Sequence, residues 1–304
     1  MRISFSRISS YLMCGEVYRR AYECKDDCPP GIVLLRGRSF HQGAAKNFKQ
    51  KKETGKDMPK SQVVEFMDSV FESIRRKEGF HLTKEEQSIG KVKTLDKARY
   101  TIKGLGEIFA DEFAPPIHPE WVEEKKVVKV PGTDIELSTK LDLATTAREI
   151  IEMKTTVRAW PQQKVDTDIQ LTFYSLIYEA ITGKKPSRIQ LAAFVVKTIP
   201  TIEPVYTSRT LQDYKVLERV INRAIDGIKK GVFLPCERGH WKCNPKYCGY
   251  WYTCPYVNQA RPIISIPKRK EVIKDGSVKG QASLDNSNRV GRYRYEGGKL
   301  PDSF

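Results

Sequence analysis

Two groups of side chains in this sequence have the types and spacing to do chemistry. The first is acidic and basic. The stretch "KLDLA" carries Asp142 between Leu141 and Leu143, and "IEMKTT" carries Glu152 and Lys154 two residues apart at the end of an apolar run. On a strand side chains alternate, so Glu152 and Lys154 share one face. The turn between the two segments is short, and a hairpin would bring Asp142 beside that face. Two carboxylates brought together repel, and a hard divalent cation with oxygen ligands removes the repulsion. Such a metal lowers the pKa of a bound water and neutralises charge on a phosphodiester in the transition state. A neighbouring lysine can orient the water or stabilise developing phosphate charge. Taken alone, the same residues also fit simple pairing with surface lysines.

The second group is sulfur. There are seven cysteines, Cys14, Cys24, Cys28, Cys236, Cys243, Cys248 and Cys254. A large intracellular chain rarely needs disulfides, so clustered cysteines point to metal. "CNPKYCGYWYTC" places Cys243, Cys248 and Cys254 in a turn-rich, aromatic loop. Three soft ligands need a fourth, for which Cys14 is distant in sequence and Cys236 is a local rival. Four thiolates suit an iron–sulfur cluster or a structural zinc. Cys24 and Cys28 also fit a reading as buried, unliganded thiols.

Two further motifs bear on the acidic group. In "GRSFH", Gly37 and His41 are four apart and share a helix face; glycine permits close packing and His41 can offer a metal-binding nitrogen. In "QLTFY", Gln170 and Tyr174 are again at i and i+4, so both polar tips can point to the sheet edge and hold Lys154 or a phosphate.

The elements that must position these residues can be read from periodicity and punctuation. "SFSRISSYLMCGEVYRRAYE" reads as a helix capped by Ser4 or Ser6. A second helix starts near Arg36, and lysine-rich "KQKKETGKDMPK" reads as a solvated loop. Residues 45–110 form a helical insertion. "WVEEKKVVKV", "IELSTKLDLATT" and "REIIEMKTT" read as three consecutive antiparallel strands. "DIQLTFYSLIYEAITG" is a helix, "RIQLAAFVVKT" a buried strand, "PVYTS" a short strand and "TLQDYKVLERVINRAIDGIKKG" a long helix. The order predicts an α/β core over 120–208, a cysteine loop over 236–256 and a basic, mobile tail over 258–304.

Composition sets the outer bounds. The chain has 304 residues, 39% hydrophobic and 30% charged, with a net charge of +16. A protein this basic favours polyanions, nucleic acid first. No apolar run approaches the roughly 18 residues of a membrane span, and "MRISFSRISSYLMC" does not read as a signal peptide. A cytoplasmic location is therefore expected. No GxxxxGK[ST] occurs, so ATP-driven unwinding would need another chain.

The order of these motifs resembles the PD-(D/E)XK nuclease superfamily, in particular the RecB-like exonucleases with an iron–sulfur cluster. That branch includes the AddB nuclease domain, the CRISPR-associated spacer-acquisition nucleases and phage relatives. The resemblance covers residues 3–256. It implies a restriction-endonuclease-like core, a central mixed sheet flanked by helices, in a nuclease domain over 1–257. It implies that His41, Asp142, Glu152 and the Met153 carbonyl bind Mg or Mn, that Lys154 is catalytic, and that Gln170 and Tyr174 support the site and contact DNA. It implies that Cys14, Cys243, Cys248 and Cys254 hold a 4Fe–4S cluster, with zinc as the alternative. Glu123 or Glu124 could add to the carboxylate site. The activity implied is a metal-dependent deoxyribonuclease, an exonuclease on single-stranded DNA or DNA ends in recombination, repair or CRISPR or phage DNA processing, in a prokaryotic or phage-infected cell. A helicase, recombinase or CRISPR integrase is the partner class implied. The rival is a non-cutting DNA-binding or assembly factor that keeps the fold.

Overall fold

The structure is a computed structural model describing residues 2–129 and 135–257. The expected tail over 258–304 lies outside the described residues. The chain opens with a short strand β1 (Arg2–Ser4), then α1 (Phe5–Met13) and α2 (Gly15–Tyr18). Ser4 is the cap: its Oγ accepts the Arg7 N–H at 3.3 Å, an interaction worth about 1 kcal/mol. Extended Cys14 breaks what the sequence reads as one helix. There follow α3 (Ile32–Thr54), α4 (Lys60–Glu78), α5 (Lys84–Ile89) and α6 (Lys91–Ile108). The next elements are β2 (Pro119–Val122), β3 (Lys125–Lys129), β4 (Glu136–Lys140), β5 (Leu143–Thr145) and β6 (Glu149–Thr156). The described part ends with α7 (Gln162–Asp166), α8 (Ile169–Thr182), β7 (Arg188–Val195), β8 (Thr201–Thr207) and α9 (Leu211–Lys229), before the cysteine loop.

Two further expectations are corrected. Helix α3 starts earlier than Arg36 and continues through "KQKKET" instead of giving way to a loop. The reason is Lys51, which is buried and donates to Asp57 and to the carbonyls of Ala114 and Pro115. The three long strands are in fact five, divided between two sheets. A large sheet has the order β2-β5-β6-β7-β8, and a small one β1-β4-β3. β6 pairs in parallel with β7, whereas β2–β5, β5–β6 and β7–β8 are antiparallel. This is the expected mixed central sheet.

Helices cover both faces of the large sheet. Leu143, Ile151, Met153 and Phe194 pack on one side against Phe40, Phe48, Met67 and Phe71 of α3 and α4. Ala144, Ile150, Leu191 and Ala193 pack on the other against Phe173 and Ile177 of α8 and Leu217 and Ile221 of α9. The alternation along β6 therefore sends Ile150, Glu152 and Lys154 toward the α8 side, and Ile151 and Met153 toward the α3 side.

Candidate active site

The chain passes from one sheet to the other twice, side by side. β2 gives way to β3 at Glu123 and Glu124, and β4 gives way to β5 at Leu141 and Asp142. The Glu123 N–H bonds the Asp142 carbonyl at 3.1 Å across this switch. Glu123 has φ 51, a conformation that non-glycine residues seldom adopt. β5 pairs with β6 only at Leu143↔Ile151 and Ala144↔Ile150. Beyond Ile151 that edge of β6 has no β5 partner. The Asp142 carboxylate takes its place and accepts the Met153 N–H at 3.0 Å. In an extended residue the carbonyl points the same way as the N–H, so the Met153 carbonyl faces the same gap.

Into this gap come side chains from α3, β6, α8 and the two sheet switches. His41 of α3 places Nδ1 3.3 Å from Asp142 Oδ2. His41, Glu123 and Asp142 each offer a ligand atom, all within 4.8 Å of one another. Of the two glutamates left open by the sequence, Glu123 joins the site and ion-pairs with Lys140. Glu124 is drawn away by Lys52 and Lys126. Lys154 contacts the Glu152 carboxylate and donates to Gln170 Oε1 at 2.9 Å. Gln170 Nε2 donates to the Tyr174 hydroxyl at 2.7 Å, and Tyr174 donates to the Lys140 carbonyl at 3.3 Å. The chain Lys154–Gln170–Tyr174–Lys140 thus fixes the ammonium beside Glu152. Arg209 is a supporting residue that motif reading missed. It is buried beneath the start of α8 and donates to Thr172 Oγ1 and to the Val165 and Asp168 carbonyls. An arginine just past a strand carries no local signal for this.

The electrostatics separate the two buried carboxyls. Burial pushes the Glu152 carboxyl up, and the Asp142 charge adds to it; Lys154 and His41 offset only part, leaving it at about 7. Burial also pushes on Asp142, but His41, Lys154 and the Met153 N–H outweigh it and hold its carboxyl below the usual value. Burial works against charge on Lys154 and His41, yet the neighbouring carboxylates prevail and raise both. Burial and the same carboxylates raise the Tyr174 phenol far up, so it remains a donor.

The residues fit a divalent cation. Glu152 is only 2% exposed, and its Oε2 is buried without a hydrogen-bond partner. A buried carboxylate oxygen left bare is costly. The neighbouring donor set of carboxylate oxygens, an imidazole and a carbonyl is one that Mg or Mn accepts.

The sulfur group assembles elsewhere. Cys14 sits at the α1–α2 break, where its Sγ accepts the Cys236 N–H at 3.3 Å. Gly15 donates to the Leu234 carbonyl at 2.7 Å, and a Cβ there would lie 2.7 Å from the Phe233 backbone. Burial, then the nearby Cys14 and Cys243, push the Cys236 thiol up to about 12. Burial, joined by Cys28, Cys14 and Cys254, pushes the Cys248 thiol up to about 11. Burial raises Cys254 too, with Cys14 and Cys243 adding. Cys14, Cys243, Cys248 and Cys254 therefore feel one another, and Cys236 and Cys28 lie at the same cluster. Cys24 stands apart, where Arg19 donates to its Sγ at 3.0 Å. Among the described residues no three of these sulfurs lie within 4.8 Å of one another, but an all-sulfur donor set is of the type that iron–sulfur or zinc takes, and either would ionise the raised thiols of Cys236, Cys248 and Cys254 on binding.

A mixed sheet carrying paired carboxylates and a lysine on adjacent strands is the frame of one large enzyme class. The model of the PD-(D/E)XK nuclease superfamily matches residues 2–255. The chain belongs to this superfamily, whose members are nucleases. Among solved structures, a candidate exonuclease from Eubacterium rectale is similar over 87% of this chain and 90% of its own, with 14% identity and a TM-score of 0.49. The protein SSO0001 is similar over 84% of this chain and 96% of its own, with 15% identity and a TM-score of 0.33. No curated protein matches the sequence. Among the described residues no helix is long and apolar enough to cross a membrane.

Proposed function

We propose that this chain is a metal-dependent deoxyribonuclease that degrades single-stranded DNA or DNA ends. The observation that carries the reading is the bare, buried Glu152 oxygen beside Asp142, with Lys154 locked against it. His41, Asp142, Glu152 and the Met153 carbonyl would hold Mg or Mn, and Glu123, whose carboxylate lies within 4.8 Å of the His41 and Asp142 ligand atoms, would join them. When bound, the metal supplies an acidified water and charge neutralisation at the phosphodiester. Lys154, charged and held by Gln170, orients the attacking water and meets the developing negative charge. Tyr174 holds Gln170 in its orientation. Before a metal binds, His41 Nδ1 bonds Asp142 and keeps that carboxylate at the gap.

The cysteine cluster in this reading is a structural 4Fe–4S site held by Cys14, Cys243, Cys248 and Cys254. It ties the N-terminal helices to the loop after α9. Anaerobic purification tests this part: brown protein with iron and sulfide supports it, and colourless protein with zinc alone refutes it. The activity is tested on end-labelled linear and closed circular single-stranded DNA with Mg or Mn. Cleavage of the linear form, with the circle spared, is the expected outcome. No cleavage of either leaves a binding or assembly factor as the better reading.

A further inference from the structure

A cleft of about 640 Å³ runs from His41 and Lys154 to the cysteine loop. Its walls are unlike the site at its end. On one side the loop contributes Trp241, Lys242, Lys246 and Tyr247, and on the other α3 contributes Leu34 and Arg38. Trp241 is 56% exposed, Tyr247 39% and Leu34 57%. Large apolar side chains exposed together beside a functional site mark a binding surface. The Trp241 and Tyr247 rings meet edge to face at 5.4 Å. Lys242 lies 5.3 Å from the Trp241 ring centre and Lys246 5.7 Å from that of Tyr247.

We infer that this cleft seats the unpaired bases of a DNA strand whose scissile phosphate lies at Lys154. The inference deepens the nuclease reading and rests on it. Aromatic faces accept the faces of bases, and flanking ammonium groups accept phosphates; this combination is how single strands are held without sequence preference. In a duplex the base faces are already stacked and cannot reach Trp241. The volume also lies within the range of about 300–1,000 Å³ typical of small-ligand pockets, room for a short stretch of single strand. The chain's charge of +16 favours such a polyanion. The cleft therefore selects the substrate: a strand end must be unpaired to enter it, and Trp241 with Tyr247 does the selecting.

The test is an anisotropy titration of the full chain with labelled oligo-dT, without added divalent metal, so that no turnover is needed. Trp241→Ala should weaken oligo-dT binding by roughly 5- to 150-fold, the range for one lost base stack. Binding of a blunt duplex should change less than about twofold. Trp241→Phe keeps a stacking ring, so it should retain most of the affinity while losing the oligo-dependent quenching of tryptophan fluorescence. Lys242→Ala with Lys246→Ala should lower the salt slope on single strands by about 1.4, at about 0.7 per phosphate contact. Equal losses on single and double strands, unchanged oligo-dT affinity in Trp241→Ala, or tighter binding of the matching RNA would each overturn the assignment. Because binding is read apart from cleavage, a chain that binds as stated but never cuts refutes the nuclease reading alone. A chain that cuts but ignores Trp241 refutes this one alone.

Discussion

The carboxylate site and the cysteine cluster are built on opposite principles. The carboxylate site stands on regular elements: β6 is paired with β7 along its whole length, and α3 and α8 pack on opposite faces. Its members are buried groups of both signs, two carboxyls against Lys154 and His41, that the surrounding fold holds at close range. The cysteine cluster is carried by a loop with little regular structure, pinned at scattered points. Tyr250 donates to the Asp26 carbonyl at 3.1 Å, Arg20 to Thr253 at 2.8 Å, and His81 bonds the Pro245 carbonyl at 3.2 Å. In the first region the fold holds the site; in the second, under the proposed function, the site would hold the fold. Substitutions should therefore affect activity in one region and stability in the other.

The largest effect falls on the carboxylate site. Lys154→Ala and Asp142→Ala should each lower DNA cleavage by roughly 10²–10³-fold or more, the scale on which removing a transition-state charge partner acts. Melting of the metal-free protein should fall less for Asp142→Asn than for Asp142→Ala, because the amide oxygen can still accept the Met153 N–H. Calorimetry and a timed cleavage assay measure the two readouts. If both fell together in Asp142→Asn, the site would be holding the fold, and the contrast would break.

The next effect belongs to the cysteine cluster and has the reverse sign of selectivity. Gly15→Ala puts a methyl into the Phe233–Leu234 backbone, which cannot turn aside as a side chain could. Such overpacking costs about 1–3 kcal/mol, or several degrees of melting temperature in a chain of this size. Cys14→Ser should do likewise and release bound metal. Limited proteolysis should then cut within 236–257 well before it cuts the sheet. An unchanged melting temperature in both variants would argue that the loop is held by its polar contacts alone.

The two regions were not equally legible in the sequence. Asp142, Glu152 and Lys154 could be grouped because strand alternation and one short turn fix their relation. His41, Gln170 and Tyr174 were readable as helix-face pairs. The sheet switch was not readable: nothing in "WVEEKKVVKV" or "KLDLA" reveals which neighbour each half pairs with, since tertiary contacts decide strand pairing. That switch is what turns Asp142 to the Met153 N–H and selects Glu123 over Glu124. β1 was missed because a three-residue strand has no period to detect. The extension of α3 was missed because Lys51 looks like a solvated charge until Asp57 and two carbonyls bury it. The approach of Cys236 to Cys14 depends on loop geometry, which spacing does not encode.

A finer test uses the pH. In the metal-free fold the Glu152 carboxyl is raised to about 7. Below that pH a cation must displace its proton, and it must also displace the proton that Asp142 and Glu152 hold on His41. Mn affinity should therefore rise with pH, by about tenfold per pH unit for each proton that binding displaces. Calorimetry in buffers of different ionisation enthalpy counts the protons. Through Glu152, stability of the metal-free fold falls as pH rises from 4.5 toward about 7, because the unfolded chain has already released the proton that the fold retains. In Glu152→Gln both dependences should lose one proton's worth and keep the share that belongs to His41. A pH slope unchanged in that variant would show that Glu152 does not carry the titration.

The smallest expected effect sharpens the contrast most, because it pairs with Gly15→Ala. Gly37 faces β6 from α3, and a Cβ there would lie 3.3 Å from Thr155 Oγ1. That neighbour is a hydroxyl beside Lys154, and it can yield by a few tenths of an ångström. Alanine also favours the helix by about 1 kcal/mol over glycine. Melting should therefore stay level or rise slightly in Gly37→Ala. Cleavage should fall a few-fold, because displacement of about 1 Å at a reacting group can cost about 10²-fold and this shift is smaller. The same methyl thus lowers stability at Gly15 and activity at Gly37. A Gly37→Ala protein that melts several degrees lower with unaltered cleavage would show that α3 supports the sheet without positioning its chemistry.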